Sequence, residues 1–314
     1  MSDLLYILNV VAPIFLLVLL GLFLRQKKLV TESFVDSTSK FVFRISLPAL
    51  IFLKLYDIDL SAKFDIGFFL FIVIATVITF FLSWGSSFYL CRIREDRGVF
   101  IQGAFRGNYA IIGLAVIAGM FGNDALAKAS LVLPFVLPIY NIFSVIVLTI
   151  YGNNKSDLNF ASVTKDILLN PLILAVVIAL PFAFWKIPLL PALIKTGEYI
   201  SVIALPLALI GIGGSMNLRA IKKASRVSLL ASTMKIIIIP VLATWAAFLF
   251  GYSGSDLGIL FVIFACPTAI ASFVMAIAMG SSGKIAGNII VISTLASLAT
   301  FTVGLYLLRL FNLI

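Results

Sequence analysis

Ten long apolar segments, separated by short connections, most constrain what this chain can fold into. Each runs for about 18 to 28 residues, enough for a helix to cross a hydrocarbon core of about 30 Å. Of the 314 residues, 62% are hydrophobic and 11% are charged, so a soluble fold would lack the polar surface to cover its core. The chain is therefore predicted to be an all-α polytopic membrane protein. Its ten transmembrane helices are expected at about 4–24, 38–56, 66–91, 98–121, 125–151, 166–185, 193–216, 227–251, 256–279 and 285–311.

The basic residues divide unequally between the two faces of such a protein. The positive-inside rule places the richer face in the cytoplasm, so both termini are predicted to be extracytoplasmic, in a plasma (inner) membrane. The same rule accounts for the net charge of +10 without a nucleic-acid partner. The richer face carries Arg25, Lys27, Lys28, Lys40, Arg92, Arg94, Arg97, Lys155, Lys165, Arg219, Lys222, Lys223, Arg226 and Lys284. The poorer face carries Lys54, Lys63, Lys128, Lys186, Lys195 and Arg309.

The residue types needed for metal binding or general base catalysis are scarce. Histidine is absent, and the two cysteines, Cys91 and Cys266, lie too far apart in sequence for a CxxC pair. Glu198 and Asp256 fall near the ends of spans, so no carboxylate is expected at mid-membrane. We expect no cofactor. Coupling to an ion stays open between a proton carried on the substrate, sodium held by backbone carbonyls, and no ion at all.

An internal repeat joins the two halves of the chain. Apolar sequences align easily, but three pairs of matching positions at one offset indicate a repeat rather than coincidence. A unit of five spans is odd in number, so the second copy crosses the membrane in the opposite sense. The sequence therefore predicts a five-plus-five inverted repeat, with residues 1–151 as helices 1–5 and 152–314 as helices 6–10. The pairs are Pro13 and Pro171, Pro48 and Pro206, and Asn108 and Cys266 (171 − 13 = 206 − 48 = 266 − 108 = 158).

Helices 4 and 9 are predicted to be broken near the middle of the membrane and to cross there. Gly107 weakens helix 4, and Asn108 can hydrogen-bond locally in place of the helical ladder. Pro267 removes a backbone donor from helix 9. Each break lies about 15 Å deep, counted from opposite faces. Freed N–H groups at such a depth suit an anion, although a single kink is also compatible with ordinary helix packing.

The motifs around these breaks resemble those of a known family. "LPAL" in span 2, and "FRGNYAIIGLA" followed by "MFG" in span 4, resemble the auxin efflux carrier family, which includes bacterial dicarboxylate permeases and plant PIN auxin exporters. The resemblance covers the whole chain and implies the fold of sodium–bile acid symporters. It implies a scaffold domain from helices 1, 2, 6 and 7, a transport domain from helices 3–5 and 8–10, and a homodimer formed through scaffold helices. Tyr109 stands where many plant members have proline, which predicts a less rigid first break.

Polar residues within the spans are the candidates for substrate binding. Arg106 and Lys235 lie about 12 Å from the inner face, where an unpaired cation is costly and so points to function. Both are long enough to snorkel to the interface instead, and the uncharged candidates are also compatible with ordinary hydrogen bonds between helices. The predicted substrate-binding residues are Asn108, Tyr109, Thr268, Asn141, Ser272, Arg106 and Lys235, and the predicted hinge residues are Gly107, Asn108 and Pro267.

A secondary transporter that carries small organic anions, such as mono- or dicarboxylates, best accounts for these patterns. The substrate is expected at the helix 4/9 crossover, with alternating access by an elevator-like or rocking movement. Two alternatives stay open. A membrane-embedded enzyme acting on lipid-linked substrate would need acids, histidines or metal at an interface. The chain has no histidine and no acidic cluster except "REDR" at 94–97, a pattern more typical of a solvated turn. A passive anion channel would show flux without saturation.

Overall fold

Helices make up every regular element of the described chain. The structure is a computed structural model that describes residues 2–56, 65–152, 165, 168–216 and 225–314. Strand-like pairing in these ranges is confined to an isolated bridge between Gly107 and Thr268. The prediction of an all-helical chain is therefore confirmed for these ranges. Five residues used to predict the orientation lie outside them: Lys63, Lys155, Arg219, Lys222 and Lys223.

The first half of the chain begins with a long helix and contains two π-helical turns among its described residues. Its α-helices are α1 (Ser2–Gln26), α2 (Glu32–Phe41), α3 (Leu47–Tyr56), α4 (Ile66–Leu90), α5 (Asp96–Phe105), α6 (Leu114–Ser130) and α7 (Leu133–Tyr151). The π turns are Val42–Ser46, between α2 and α3, and Tyr109–Gly113, before α6. The Asp65 side chain accepts the Phe68 N–H and so caps α4.

The second half contains eight α-helices and one π turn among its described residues. Asn170 caps α8, and the proline that follows begins the helix where its missing N–H costs nothing. A π turn, Met234–Ile238, joins α11 to α12. The helices are α8 (Pro171–Trp185), α9 (Pro191–Val202), α10 (Ala204–Ser215), α11 (Arg226–Thr233), α12 (Ile239–Leu249), α13 (Gly254–Ala265), α14 (Ala271–Ala278) and α15 (Gly283–Leu310).

Apolar side chains face outward over much of the surface, as lipid contact requires. Leu16 and Trp245 are each 61% exposed, whereas Thr76 and Ser83 are fully buried. By length and composition, seven helical segments of the described chain could cross a membrane: Asp3–Gln26, Ile66–Leu90, Tyr109–Ser130, Leu133–Tyr151, Pro191–Ser215, Arg226–Leu249 and Gly283–Leu310. Pro171–Trp185 and Gly254–Ala265 are apolar but shorter. The chain is a polytopic membrane protein, and its count of ten spans stays a prediction.

α1 and α10 pack against each other through glycines. Gly21 faces the backbone of Ile210, and Gly213 faces the backbone of Val18. A methyl group at either glycine would collide with main-chain atoms, which cannot move aside. The glycine-rich sequence "GIGGS" at 211–215 therefore allows the two helices to pack closely.

Local backbone features recur at the offset of the matched pairs. α5 begins at Asp96 and α13 begins at Gly254 (254 − 96 = 158). Gly122, with φ of 78°, interrupts α6, and Gly280, with φ of 70°, follows α14 (280 − 122 = 158). Left-handed backbone of this kind favours glycine because it has no Cβ. The inverted arrangement of the two halves stays a prediction.

Candidate functional site

The helix of span 4 is interrupted for three residues. Arg106 leaves α5 with extended backbone (φ −84°, ψ 107°). Asn108 is also non-helical (φ −84°, ψ 54°), and helical structure resumes with the π turn at Tyr109. The break predicted at Gly107 and Asn108 is therefore present.

Glycine at position 107 allows the two breaks to approach each other. A Cβ there would lie 3.3 Å from Cys266 Cβ and 3.3 Å from Lys235 Nζ, closer than side chains ordinarily pack. Any larger residue at Gly107 would push on both neighbours.

The helix of span 9 stops for a related reason. α13 ends at Ala265, Cys266 turns to extended backbone (ψ 137°), and α14 begins at Ala271. Pro267 has no N–H to donate to the Ile263 carbonyl, so the ladder cannot continue through it. The break predicted at Pro267 is present as well.

The two breaks are joined by backbone hydrogen bonds. The Asn108 N–H donates to the Pro267 carbonyl at 2.7 Å, and the Ala269 N–H donates to the Arg106 carbonyl at 3.2 Å. These bonds satisfy polar groups that a broken helix would otherwise leave unpaired in an apolar interior. The breaks therefore form one shared backbone structure rather than two independent kinks.

The first break needs no proline. In an unbroken helix the Gly107 N–H would donate to the Gly103 carbonyl. Here the Thr268 hydroxyl donates to Gly103 O at 2.7 Å instead. A group from the other broken helix thus replaces the ladder donor of the first break.

The helix that follows the first break presents unpaired N–H groups. Within the described part of the chain, the N–H groups of residues 109–111 have no acceptor. The start of a helix carries a partial positive charge from such groups. The Asn108 side chain lies at the same place, is only 8% exposed and has no hydrogen-bond partner among the described residues. This end of the helix is therefore suited to an anionic or carbonyl oxygen.

Arg106 is a buried cation with neutral partners. Its side chain is 7% exposed. Nη2 donates to Asn141 Oδ1 at 2.9 Å, Nη1 donates to Ser144 Oγ at 3.3 Å, and Nη1 also contacts Met275 Sδ. Across the described ranges no carboxylate pairs with it. A guanidinium held at such depth without a counter-charge attracts an anion.

Two more buried polar atoms lie on the helices around Arg106. Gln102 is fully buried, and its Oε1 has no partner, while its Nε2 lies 3.7 Å from Met275 Sδ. Ser272, in the first turn of α14, is 1% exposed, and its hydroxyl is likewise unpartnered. Unpaired buried groups of this kind are rare and call for a function or a bound partner.

Lys235 is also buried, but it has a backbone partner. The side chain is fully buried, and Nζ donates to the Phe264 carbonyl at 2.9 Å. Phe264 is the repeat counterpart of Arg106 (264 − 106 = 158). The two predicted cations therefore both lie at the breaks, with different partners.

The polar groups of Tyr109 and Thr268 are already occupied. The Tyr109 hydroxyl donates to the Ala129 carbonyl, and the Thr268 N–H donates to Ser293 Oγ at 3.1 Å. Since the Thr268 hydroxyl is also engaged, both residues support the breaks in this conformation.

Comparison with known proteins agrees with this architecture. A family described as "Membrane transport protein" matches residues 6–305. The chain belongs to this family. The match confirms the resemblance to auxin efflux carriers, and the family makes the chain a membrane transporter rather than an enzyme.

Two relatives of the family are similar over nearly their whole length. One is an uncharacterized transporter of Methanothermobacter thermautotrophicus, 25% identical over 295 residues, which cover 92% of this chain and 94% of that protein. Another is an uncharacterized transporter of Methanocaldococcus jannaschii, 24% identical over 301 residues, covering 92% and 95%.

Three residues around Arg106 were not predicted from the sequence: Gln102, Ser144 and Met275. Gln102 precedes Arg106 by four residues and Ser144 follows Asn141 by three, so helical spacing could have placed both on the same faces. No pattern marks Met275, since one more apolar residue in span 9 carries no signal. In the described ranges no three His, Cys, Asp or Glu side chains come together to hold a metal ion.

Proposed function

We propose that this chain is a secondary transporter of small organic anions with one or two carboxylates, bound where the two broken helices meet. The observation that carries the proposal is Arg106, which is 93% buried (100% − 7%) and, among the described residues, bonded only to neutral groups. A substrate carboxylate would supply the missing charge through two parallel hydrogen bonds to the guanidinium.

The first break provides the remainder of the binding site. The N–H groups of residues 109–111 and the Asn108 amide, which have no partner among the described residues, are donors beside Arg106 in sequence. Ser272 supplies an unpartnered hydroxyl from the second broken helix. Asn141 orients the guanidinium, and Lys235 adds positive charge. A second carboxylate or a hydroxyl on the substrate would have partners in this set.

Access to such a site requires a movement of the protein. Arg106, Asn108 and Ser272 are 7%, 8% and 1% exposed even with no membrane around the chain. A site closed on all sides in one conformation favours alternating access over an open channel. We propose an elevator-like or rocking movement in which helices 3–5 and 8–10 carry the substrate past a scaffold of helices 1, 2, 6 and 7.

The membrane arrangement belongs to the same proposal. Ten spans in an inverted five-plus-five repeat are supported by the recurring helix starts and positive-φ glycines at an offset of 158. With the positive-inside rule, both termini are extracytoplasmic in a plasma (inner) membrane. Dimerisation through scaffold helices is proposed from the family alone.

Counterflow in proteoliposomes tests the function. A screen of carboxylates for ligands that raise the melting temperature first identifies the substrate. We expect saturable counterflow of that carboxylate, reduced strongly by Arg106→Gln. Flux that rises linearly with concentration would indicate a channel instead, and a screen with no stabilising carboxylate would contradict the proposed substrate class.

A further inference from the structure

At the second break, the Phe264 carbonyl has lost its hydrogen-bond donor from the helix backbone. In an unbroken helix the Phe264 carbonyl would accept the Thr268 N–H. That N–H donates to Ser293 Oγ at 3.1 Å instead. Phe264 O thus lies at the negative end of the half-helix α13, with no ladder donor, in an apolar interior.

The Lys235 ammonium takes the place of that donor. It reaches Phe264 O at 2.9 Å from the π turn between α11 and α12. The residue is fully buried, and no carboxylate among the described residues pairs with it. Among the described residues, the group that compensates its charge is the dipole of the Phe264 carbonyl.

In transporters with discontinuous helices, carbonyls at the ends of half-helices coordinate the coupling Na⁺ or H⁺. We propose that the Lys235 ammonium is a built-in cation that fills such a position, so that no dissolved metal cation binds at this break. The consequence for transport, independence of sodium, rests on the proposed function. The occupied position itself does not, because it concerns only the protein and its cation.

The surroundings of the ammonium are consistent with a cation that must stay in place. A Cβ at position 107 would lie 3.3 Å from Nζ and 3.5 Å from Cε, so the glycine of the first break leaves room for the lysine of the second. The ammonium therefore lies between the two breaks and contributes positive charge to both. A mobile ion would leave this place when it dissociates, whereas a tethered one remains through the transport cycle.

Removal of the Lys235 side chain tests the proposal directly. We expect Lys235→Ala to leave a cation-sized space beside Phe264 O, and methylammonium chloride to raise its melting temperature in a saturable manner. The wild type and the exposed control Lys195→Ala should show no such rise. Choline chloride at equal concentration controls for ionic strength. If methylammonium, sodium and lithium all leave the melting temperature of Lys235→Ala unchanged, the proposal is overturned.

A second measurement uses the unmodified protein, in case the variant does not fold. The melting temperature of the wild type should be the same in sodium chloride as in choline chloride. Stabilisation specific to sodium would overturn the built-in cation. Neither result depends on substrate or flux, so a failed transport assay would count against the proposed function alone.

Discussion

The two interrupted helices share a backbone bridge, yet each replaces its missing ladder donor with a different chemical group. At the first break a neutral hydroxyl, that of Thr268, donates to the Gly103 carbonyl. At the second break the ammonium of Lys235 donates to the Phe264 carbonyl. One half-helix end is satisfied without charge, and the other is satisfied by a full positive charge.

The same comparison separates the two buried cations. The charge of Lys235 is directed at a backbone dipole, which stabilises cations at the end of a helix. The charge of Arg106 is directed at neutral side chains, which provide hydrogen bonds but no counter-charge. We infer that the first break is the one that receives the anion, and that the second is held together by its own lysine.

The largest expected effect is that of Asn108→Ala, which should abolish transport of the carboxylate. The Asn108 N–H would still donate to Pro267 O, so the bridge and the fold should persist. Only the side-chain amide at the helix start is lost. Counterflow measures the loss, with Asn123→Ala, exposed on α6 after the break, as the matched control. Normal uptake by Asn108→Ala would show that the Asn108 side chain at the first break does not bind the substrate.

Arg106→Gln should weaken carboxylate binding by on the order of 100-fold, because charge-assisted hydrogen bonds are worth about 1.5–3 kcal/mol each. Binding of the uncharged amide analogue of the same carboxylate should change much less. Titration of both ligands by melting temperature makes the comparison, with the exposed Arg92→Gln as control. Equal losses for both ligands would show that Arg106 supports the structure only.

Thr268→Val should destabilise the protein by about 1–3 kcal/mol, because the Gly103 carbonyl would be buried without a donor. The informative comparison is the response of this variant and of Lys235→Ala to methylammonium. Methylammonium should not restore the melting temperature of this variant, since a hydroxyl rather than a cation was removed. Rescue of Thr268→Val by methylammonium would erase the distinction between the breaks.

The smallest effect concerns the first residue of α5, Asp96, just before the span expected to start at residue 98. Its pKa is raised from the ordinary value of 3.8, mainly by burial and then by the neighbouring Glu95. A raised pKa means that the folded chain holds the proton more tightly, so the ionised form costs stability above that pKa. Asp96→Asn should raise stability near neutral pH by less than about 0.5 kcal/mol.

The pH dependence of the Asp96 variant provides its check. The advantage of Asp96→Asn should fall as the pH approaches 3.8 and vanish well below it, where the wild-type carboxyl is protonated in both the folded and unfolded states. Melting temperatures measured from neutral to acidic pH follow this change. An advantage that is independent of pH would indicate a packing effect.

The sequence was most informative where a single residue type has a single physical consequence. Pro267 must interrupt a helix because it lacks an N–H, and Gly107 and Asn108 tolerate backbone that others do not. The all-helical class and both breaks could therefore be predicted. Partners across the molecule could not, because Lys235 and Phe264, or Arg106 and Met275, are brought together by helix packing that no local pattern encodes.

The sequence by itself determined that the chain lies in a membrane, where its helices break, and which two cations lie deep within it. Those follow from hydrophobicity and backbone chemistry, which are local properties. Only the tertiary structure decided that Lys235 bonds to a carbonyl while Arg106 bonds to neutral side chains within the described part of the chain. The reason is that a buried charge is defined by the groups that three-dimensional packing places within a few ångströms of it.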